Sequence, residues 1–345
     1  MSVQRVDWSK LDDVVDIVSG EFDYKKLTLF SIFKNELFFC QAFFDHYRRL
    51  GVEQFLILDD GSADGTKQFL EAQDDCVVLS SRLAFEDPVE YFSGVGVKYQ
   101  TRAANFLKAG IPQFFLKGRY SLYADADEFL ILPPDVANLS DLVAELQVSG
   151  VRAVASSLID FYPEFIRETS GMAPDSSSDL FQMCPYFDCR QLLRVSIFGK
   201  PVPVAPSKFR DVAWQHGFLD GGRFRKRLLQ KVLGRVRPSP MSYKTPIVLH
   251  DDSNYYVSAH RVFGRVATNK LLCMAHFVFT PNSWGKAEWI VNHVHRHGRV
   301  TKYDALLKVL RGNETGEVSF MNSRSRRFES AQQLIDCGLM RWDAR

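Results

Sequence analysis

The sequence lacks an apolar run of membrane-spanning length, and its first twenty residues lack the continuous apolar segment of a signal peptide. Those residues, MSVQRVDWSKLDDVVDIVSG, carry four carboxylates instead. These features exclude an ordinary signal peptide and provide no segment of membrane-spanning length. The sequence predicts a cytoplasmic protein that could still lie against the inner face of a membrane.

Cysteine is scarce, with six residues in a chain of 345, and no CxxC pair occurs. The cysteines lie singly in apolar surroundings: Cys40, Cys76, Cys184, Cys189, Cys273 and Cys337. This spacing does not resemble a disulfide framework. We therefore expect reduced and mostly buried thiols.

An excess of charge of either sign is also absent, because 43 basic side chains stand against 41 acidic ones and the formal net charge is +2. This balance argues against a nucleic-acid partner. The chain is 46% hydrophobic, so it can bury a substantial core. Its length allows one large domain, or a domain with an elaborated second half.

From residue 27, apolar strand-like segments alternate with helix-like segments. The predicted strands are LTLFSIF, QFLILDD, CVVLSS, YSLYADADEFL and VRAVASSLI, and the predicted helices lie near 35–50, 65–73, 99–109 and 140–148. The first helix has Asn35 as its N-cap and ends at Gly51. This alternation predicts an α/β domain with a single Rossmann-like, mainly parallel sheet flanked by helices.

The clean alternation stops after about residue 165, where a Ser-rich loop, a basic stretch and His-containing strands follow. We expect these segments to form a C-terminal extension that completes the site, without an internal repeat or an independent domain. The predicted divisions are an N-terminal helical extension at 1–26, a core at 27–165, a second half of the same domain at 166–300 and a helical tail at 301–345.

Two adjacent carboxylates, Asp59 and Asp60, end the second predicted strand in the motif DDGSADGT. In open parallel sheets, ligands bind beyond the carboxyl ends of the strands. These acids and the Gly- and Ser-containing turn could therefore hold the ribose and base of a nucleotide. The alternative is structural: Asp60 and Asp64 would only form Asx turns or cap the next helix.

Three more carboxylates, Asp125, Asp127 and Glu128, follow the apolar run of YSLYADADEFL. If the strand continues through them, Asp125 and Asp127 face the same side and present two carboxylates to one point. Such hard oxygen ligands suit Mg²⁺ or Mn²⁺. The alternative is a strand end that caps the next element, with Asp127 and Glu128 solvated.

Taken together, the motifs NE, DDGS-x-DGT and DADEF, in that order, resemble those of the glycosyltransferase family 2-like enzymes with the GT-A fold. The resemblance is to the bacterial subgroup whose metal motif reads D-x-D-E-F. It covers roughly residues 27–165 and continues more loosely to about 300. It implies a nucleotide-sugar-binding GT-A core at 27–165 and an acceptor-side, metal-completing half at 166–300.

The resemblance also implies roles for individual residues. Asp59 and Asp60 would lie beside the nucleoside, Asp127 would be the main ligand of a Mn²⁺ or Mg²⁺ ion, and Asp125 would contact the ribose or the metal site. The other residues expected at the nucleotide sugar are Asn35, Glu36, Arg102, Arg223 and Lys244.

The basic stretch GGRFRKRLLQKVLGRVR at 221–237 contains seven Lys or Arg residues and no acid. Its apolar residues recur at helical spacing, which is typical of an amphipathic segment on an anionic membrane. Alternatively, the two glycines let the backbone approach a diphosphate while Arg223 or Arg225 pairs with it. A solvated helix face is the third interpretation.

A histidine from the second half completes the metal site in several GT-A families, and the resemblance of LLCMAHFVF to the subgroup implies His276 as this ligand. His260 is the alternative, and a hydrogen-bonded core histidine is the structural interpretation of either. The cluster HVHRH at 293–297 does not predict a zinc site, because His293 and His297 would share a helix face without His295.

An inverting transferase also needs a general base for the acceptor hydroxyl. Asp160 follows the fifth predicted strand and is the first candidate, with Glu164 and Asp188 as alternatives. The same residue can instead make a structural hydrogen bond.

The sequence therefore predicts a metal-dependent, inverting glycosyltransferase that moves a sugar from a nucleotide-diphosphate donor to a glycan or lipid-linked acceptor in surface polysaccharide biosynthesis. Alternatives are a sugar nucleotidyltransferase or phosphohydrolase that uses the same acids, and an inactive nucleotide-sugar-binding protein. The nucleotidyltransferase would need a Gly-rich, Arg-containing loop after the first strand, where none occurs. The phosphohydrolase would need a nucleophilic Asp where the chain has Lys34 and Asn35.

Overall fold

The computed structural model describes residues 3–169, 171–218, 242–258, 260–293 and 299–342. In these ranges the strands are β1 Gln4–Arg5, β2 Val15–Ser19, β3 Thr28–Phe33, β4 Gln54–Asp59, β5 Cys76–Ser81, β6 Pro88–Phe92, β7 Lys98–Arg102, β8 Tyr120–Tyr123, β9 Glu128–Ile131, β10 Ala153–Asp160, β11 Tyr186–Asp188, β12 Leu193–Val195, β13 Pro201–Pro203, β14 Tyr243–Leu249, β15 Tyr256–Ser258, β16 Arg261–Val262, β17 Lys270–His276, β18 Ser325–Arg327 and β19 Arg341–Trp342.

The helices of the same ranges are α1 Leu37–Arg49, α2 Thr66–Glu71, α3 Ala103–Phe115, α4 Leu139–Val148, α5 Ser177–Met183, α6 Lys208–Gln215, α7 Pro281–His293, α8 Arg299–Thr315 and α9 Ala331–Asp336, with 3-10 helices at Trp8–Asp13 and Ile166–Thr169. None of these described helices has the length and apolar character needed to span a membrane.

A mixed central sheet organises the described chain, in the order β19-β17-β10-β14-β8-β3-β4-β5-β2, with β9 also paired to β17. Strands β3, β4, β5, β8, β10 and β17 run in one direction, and β2, β9, β14 and β19 run against them. The prediction of an α/β protein with a large central sheet flanked by helices is confirmed.

Side-chain alternation along the central strands divides the core between the two faces of the sheet. Leu29 and Phe33 of β3 pack with the apolar residues of α1 and α4, whereas Phe30 of the same strand packs with Phe106 of α3. Because both faces are covered, all six residues of β4 are buried. Helices on both faces therefore hold the carboxyl ends of these strands in a fixed arrangement.

The chain reverses its direction of travel across the sheet beside β3. It passes from β3 to β4 and β5 on one side, and then returns to place β8 on the other side of β3. In open α/β sheets such a switch point leaves a crevice at the carboxyl ends of the two strands, and ligands bind there. The crevice here lies beyond Phe33 and Tyr123.

The start of α1 differs from the prediction of an Asn35 N-cap. Asn35 has a positive φ of 54°, and the helix begins at Leu37. Its first backbone N–H groups are satisfied by the DDGSADGT loop: Thr66 Oγ1 accepts from Glu36 at 2.9 Å and Asp64 accepts from Leu37 at 3.1 Å. The groups that cap α1 therefore come from a loop about 30 residues later in the sequence. The local sequence around Asn35 could not predict this contact.

The predicted strand YSLYADADEFL is wrong in its second half. Strand β8 ends at Tyr123, and Glu128 begins β9, which pairs antiparallel with β17. Between them, the N–H of Glu128 donates to the carbonyl of Asp125 at 3.0 Å, so the acidic motif forms a turn. Asp125 and Asp127 therefore do not alternate along one strand, and each carboxylate has a different environment.

Two other segments also differ from their predictions. The predicted helix at 99–109 begins only at Ala103, because residues 98–102 form β7 and pair with β6. The described part of 1–26, predicted as helical, contains β1, β2 and one 3-10 helix, and β2 extends the central sheet beside β5.

Helices α6, α7 and α8 of the second half of the chain lie against the carboxyl end of β10. Tyr162, just after β10, belongs to an apolar cluster with Phe209 of α6, Phe279 and the buried face of α8. This cluster positions α6, α7 and α8 beside the crevice. The prediction of reduced thiols is wrong for Cys189 and Cys337, which form a disulfide. The other four cysteines are free and buried, as predicted.

Candidate functional site

A cavity of about 850 Å³ occupies the crevice at the carboxyl ends of β3, β8, β10 and β17. Its carboxylates are Glu36, Asp64, Asp125, Asp127, Glu128 and Asp160. Its cationic side chains are Lys34, Lys108, Arg210, Lys244, Lys286 and Lys302, and its histidines are His260 and His276. The volume is in the usual range of small-molecule sites.

Asp127 and His276 face each other at the centre of this cavity. Nε2 of His276 lies 3.5 Å from Oδ2 of Asp127, and both side chains are only partly covered. Together with Glu128, they offer ligand atoms that all lie within 4.8 Å of one another. This group of carboxylates and imidazole can hold a divalent metal ion.

Asp160 orients the imidazole of His276. In the parallel pairing of β10 with β17, Asp160 is in register with His276, and Nδ1 of His276 donates to Oδ1 of Asp160 at 2.7 Å. The other oxygen of Asp160 accepts from the N–H of Phe209 at 2.9 Å. Because Nδ1 is engaged, Nε2 is the nitrogen that faces Asp127.

The two carboxylates also determine the charge of His276. Burial alone would lower the pKa of the imidazole, but Asp127 and Asp160 raise the pKa of His276 to about 10. Burial alone would raise the pKa of Asp127, and the charged ring of His276 holds it below its ordinary value. At neutral pH and without a metal ion, His276 is therefore an imidazolium between two carboxylates.

Asp125 and Glu128 form a separate charge cluster with Lys244, behind the Asp127 and His276 pair. Lys244 is 1% exposed and contacts both Asp125 and Glu128, the latter at 3.0 Å. Lys108 lies 3.3 Å from Asp125, and Glu128 also accepts from the N–H of Asp125 at 3.0 Å. These contacts occupy both oxygens of Glu128, and Lys108 and Lys244 engage the two oxygens of Asp125. Asp127 instead faces His276.

The environment of Asp125 differs from that of Asp127 in electrostatic terms too. Burial would raise the pKa of Asp125, but Lys108 and Lys244 hold it well below its ordinary value. Lys244, predicted as a phosphate ligand, is already neutralised by two carboxylates. In this structure Asp125 and Lys244 hold the acidic turn in place.

His260, the predicted alternative to His276, also lines the cavity but points its Nδ1 elsewhere. Nδ1 lies 2.8 Å from the carbonyl oxygen of Tyr243, and burial lowers the pKa of His260 to about 3. Among the described residues, the metal-ligand group includes His276 and not His260.

The DDGSADGT loop is held by its own side chains on the other side of the crevice. Asp59 accepts from the N–H groups of Gly61 and Ser62, both at 3.1 Å. Asp60 pairs with Lys34 at 2.9 Å, and Asn35 accepts from the N–H of Ala63 at 2.8 Å. The motif therefore does form Asx turns and cap the next elements, as the structural interpretation expected. The other oxygen of Asp59 is buried without a hydrogen-bond partner.

Glu36 has one carboxylate oxygen without a hydrogen-bond partner. One carboxylate oxygen pairs with Lys286, and the other is buried without a partner. Burial raises the pKa of Glu36 to about 7, in spite of the neighbouring Lys286. An unpaired buried oxygen costs about 1–3 kcal/mol unless a ligand donates to it.

The second half of the chain supplies three cationic residues of the cavity that were not predicted from the sequence: Arg210, Lys286 and Lys302. Electrostatic coupling links both lysines to Asp127, and burial together with Arg210 lowers the pKa of Lys302. They lie on α6, α7 and α8, and no sequence motif marks any of them. Only the folding of these three helices over the crevice brings them together.

Several predicted residues lie outside the lining of the cavity. Glu164 is exposed, and Arg102 pairs with Glu86 at 2.9 Å. Asp188 is buried with Lys208 at 3.1 Å and accepts from Tyr162. Arg223, the basic stretch at 221–237 and residues 294–298 lie outside the described residues.

No family model matches the chain, and no curated protein matches it. Among solved structures, the chain is similar to the UTP-bound UGPase from Acinetobacter baumannii, with a TM-score of 0.28 and 7% sequence identity. That alignment covers 91% of this chain and 92% of the other. A TM-score this low supports no inference about fold or activity.

Binding of a divalent cation at His276 should release a proton. Because the pKa of His276 is about 10, its imidazole is protonated at pH 7.5 and must lose that proton to bind a metal ion. We expect Mn²⁺ binding to release about one proton per site and to strengthen as pH rises. Calorimetric titration in buffers of different ionisation enthalpy measures this release.

His260 is the matched control for this titration, because the imidazole of His260 is already neutral at pH 7.5. His276→Gln should abolish both the affinity and the proton release, whereas His260→Gln should keep both. Proton release that disappears in His260→Gln and persists in His276→Gln would contradict the assignment.

The buried pair of Asp188 and Lys208 should stabilise the fold without serving the site. Burial would raise the pKa of Asp188, but Lys208 and Tyr162 hold it below its ordinary value. The contribution of Asp188 is thus present above about pH 4 and is lost as pH falls through the lower native pKa. At pH 7, Asp188→Asn should lower the free energy of unfolding by about 3 kcal/mol, because Lys208 stays buried and unpaired.

Urea unfolding at pH 7 and at pH 3 measures this difference, which should shrink at the lower pH. The control is Asp304→Asn, which removes an exposed pair with Lys308 and should cost less than about 1 kcal/mol. A loss of Mn²⁺ affinity in folded Asp188→Asn protein would show that Asp188 serves the site after all.

Proposed function

We propose that this chain is a metal-dependent glycosyltransferase of the GT-A, family 2-like type. It transfers a sugar from a nucleotide-diphosphate donor to a glycan or lipid-linked acceptor, with inversion, in the assembly of a surface polysaccharide. In this proposal residues 27–165 form the donor-binding core, and 166–300 form the acceptor side and complete the metal site.

One observation carries the proposal: Asp127 and His276 face each other in a large cavity at the switch point of the sheet, beside unpredicted cationic residues. A nucleotide-sugar site needs a divalent cation site, cationic groups for a diphosphate and polar groups for a nucleoside. The cavity brings the first two together, and the DDGSADGT loop borders it through Asp64.

The donor would lie along the crevice between these groups. The nucleoside lies near Asn35, Asp59 and Asp60. The diphosphate lies near the cationic residues of the second half of the chain: Arg210, Lys286 and Lys302.

Asp127 and His276 would hold a Mn²⁺ or Mg²⁺ ion, with Asp160 orienting the imidazole of His276. Two protein ligands leave coordination positions for diphosphate oxygens and water, as is usual for these ions. The bound cation supplies Lewis-acid stabilisation of the charge that develops on the departing diphosphate. Lys286 and Lys302 add fixed positive charge to the same region.

The acceptor hydroxyl needs a base, and Glu36 suits this role better than Asp160. Both oxygens of Asp160 are engaged, by His276 and by the N–H of Phe209. Glu36 has a free oxygen and a pKa of about 7, which is near the pH at which a base must accept its proton. We assign proton removal to Glu36 and orientation of His276 to Asp160.

The proposal is tested by incubating the protein with a panel of UDP-, GDP- and dTDP-sugars and Mn²⁺. We expect Mn²⁺-dependent thermal stabilisation by one donor and slow release of its nucleoside diphosphate, because water takes the sugar when no other acceptor is present. Asp127→Asn should lower the rate of that release by about 100-fold or more. Asp304→Asn, on the exposed face of α8, should leave it unchanged.

The same samples separate the other enzyme classes. Formation of pyrophosphate from a nucleoside triphosphate and a sugar 1-phosphate would replace this proposal with nucleotidyltransfer. Hydrolysis of phosphomonoesters without any use of nucleotide sugars would replace it with a phosphohydrolase. Metal-dependent donor binding with neither release nor transfer would leave an inactive binding protein.

The role of Glu36 has its own test in the pH dependence of turnover. Glu36→Gln should reduce the turnover rate by about 100-fold or more, remove the acidic limb near pH 7 and leave Mn²⁺ affinity unchanged. Asp160→Asn should instead weaken Mn²⁺ binding, through misorientation of His276. Full turnover in Glu36→Gln would exclude Glu36 as the base.

A further inference from the structure

Two adjacent turns, residues 197–200 between β12 and β13 and residues 263–265 after β16, form a surface far from the cavity. We call it the paired-turn surface. The turns meet near the start of β10, since Gly199 accepts from the N–H of Val266 and Ala153 accepts from the N–H of Ala267, at 3.0 and 2.9 Å. Asp160 and the cavity lie at the other end of β10, about 23 Å along the strand.

The paired-turn surface exposes large apolar side chains. Ile197 is 86% exposed and Phe198 is 65% exposed, at the tip of a closed hairpin, and Phe263 is 39% exposed on the neighbouring turn. Such turn positions usually carry Gly, Pro, Asn, Asp or Ser. Two consecutive large apolar residues at the tip of a hairpin indicate a contact with another molecule or with a membrane.

The surface is held rigid by backbone contacts between its turns. The hairpin closes with the N–H of Ser196 donating to the carbonyl of Lys200 at 2.9 Å, and Nζ of Lys200 donates to the carbonyl of Gly264 at 3.3 Å. Gly199 has a φ of +67°, and a Cβ there would lie 2.8 Å from the carbonyl oxygen of Val266. Ile197 and Phe198 are thus presented by an ordered support.

The two segments that form the paired-turn surface carry charge of one sign. Neither residues 189–207 nor residues 253–270 contain an Asp or Glu. The exposed basic residues of these two segments are Arg194, Lys200, Arg261 and Arg265. Apolar tips surrounded by basic side chains complement a surface that is apolar inside and anionic outside.

A second cavity, of about 490 Å³, adjoins the paired-turn surface. Gly264 and Arg265 line it, together with the polar side chains of Arg152, Ser253 and Thr268. The residues that line this cavity include no carboxylate. Arg152 and Ser253 both bond to Asp251, so Arg265 and Thr268 are the donors that suit a phosphate-bearing headgroup.

We propose that the paired-turn surface docks the protein on an anionic lipid bilayer. Ile197, Phe198 and Phe263 insert among the headgroups, while Lys200 and Arg265 contact lipid phosphates. This docking site is separate from the basic stretch at 221–237 and does not depend on the proposed function. It lies at the end of the sheet opposite the cavity, which stays accessible in the docked protein.

The test is co-sedimentation of the full chain with vesicles of phosphatidylcholine alone or mixed with phosphatidylglycerol. We expect binding to the mixed vesicles that weakens as salt is raised. Replacing Ile197 and Phe198 together by Ser should weaken binding by about tenfold or more. The matched control replaces Ile17 and Val18 by Ser, because these residues are exposed on β2 at the far edge of the sheet; its binding should be unchanged.

The charge component is tested with Lys200→Gln and Arg265→Gln, each of which should weaken binding about fivefold. Equal binding to vesicles with and without phosphatidylglycerol, or full binding by the Ile197 and Phe198 double variant, would overturn the proposal. So would wild-type self-association without vesicles that this double variant abolishes, since a second copy of the chain would then cover the surface.

Discussion

The hydrogen bond from His276 to Asp160 is the contact on which the candidate site depends. Parallel pairing of β10 with β17 brings these two residues into register at the carboxyl edge of the sheet. With Nδ1 engaged by Asp160, the other ring nitrogen faces Asp127 across 3.5 Å. The strand pairing therefore positions an imidazole and a carboxylate from distant parts of the chain before any ligand arrives, and such preorganisation reduces the cost of binding.

Buried charge around this pair is balanced by close partners. Lys244 lies between Asp125 and Glu128, and Lys286 neutralises Glu36. Removing one member of such a group leaves an unpaired buried charge, so the cavity wall tolerates few substitutions. The balance also explains why Asp127, and not Asp125, is the carboxylate that remains available: Asp125 is held by two lysines behind the turn.

Much of this arrangement could be predicted from the sequence. Apolar runs and turn residues predicted most of the central strands, and their order located the acids at one edge of the sheet. The turn after Tyr123 was not predictable, because DADEF is compatible with an extended strand until β9 pairs with β17. The cation at Lys286, the disulfide of Cys189 and Cys337 and the cap of α1 all depend on contacts between residues far apart in the chain, which leave no local pattern.

The central claim is that Asp127 and His276 bind a divalent cation beside a nucleotide diphosphate. Crystals grown with Mn²⁺ and UDP, and measured at the manganese absorption edge, locate the ion directly. The account predicts an anomalous peak within ligand distance of Asp127 and of Nε2 of His276, with the diphosphate on the side of Lys286 and Lys302. A peak elsewhere in the molecule, or nucleotide bound in the cavity with no ion between Asp127 and His276, would contradict it.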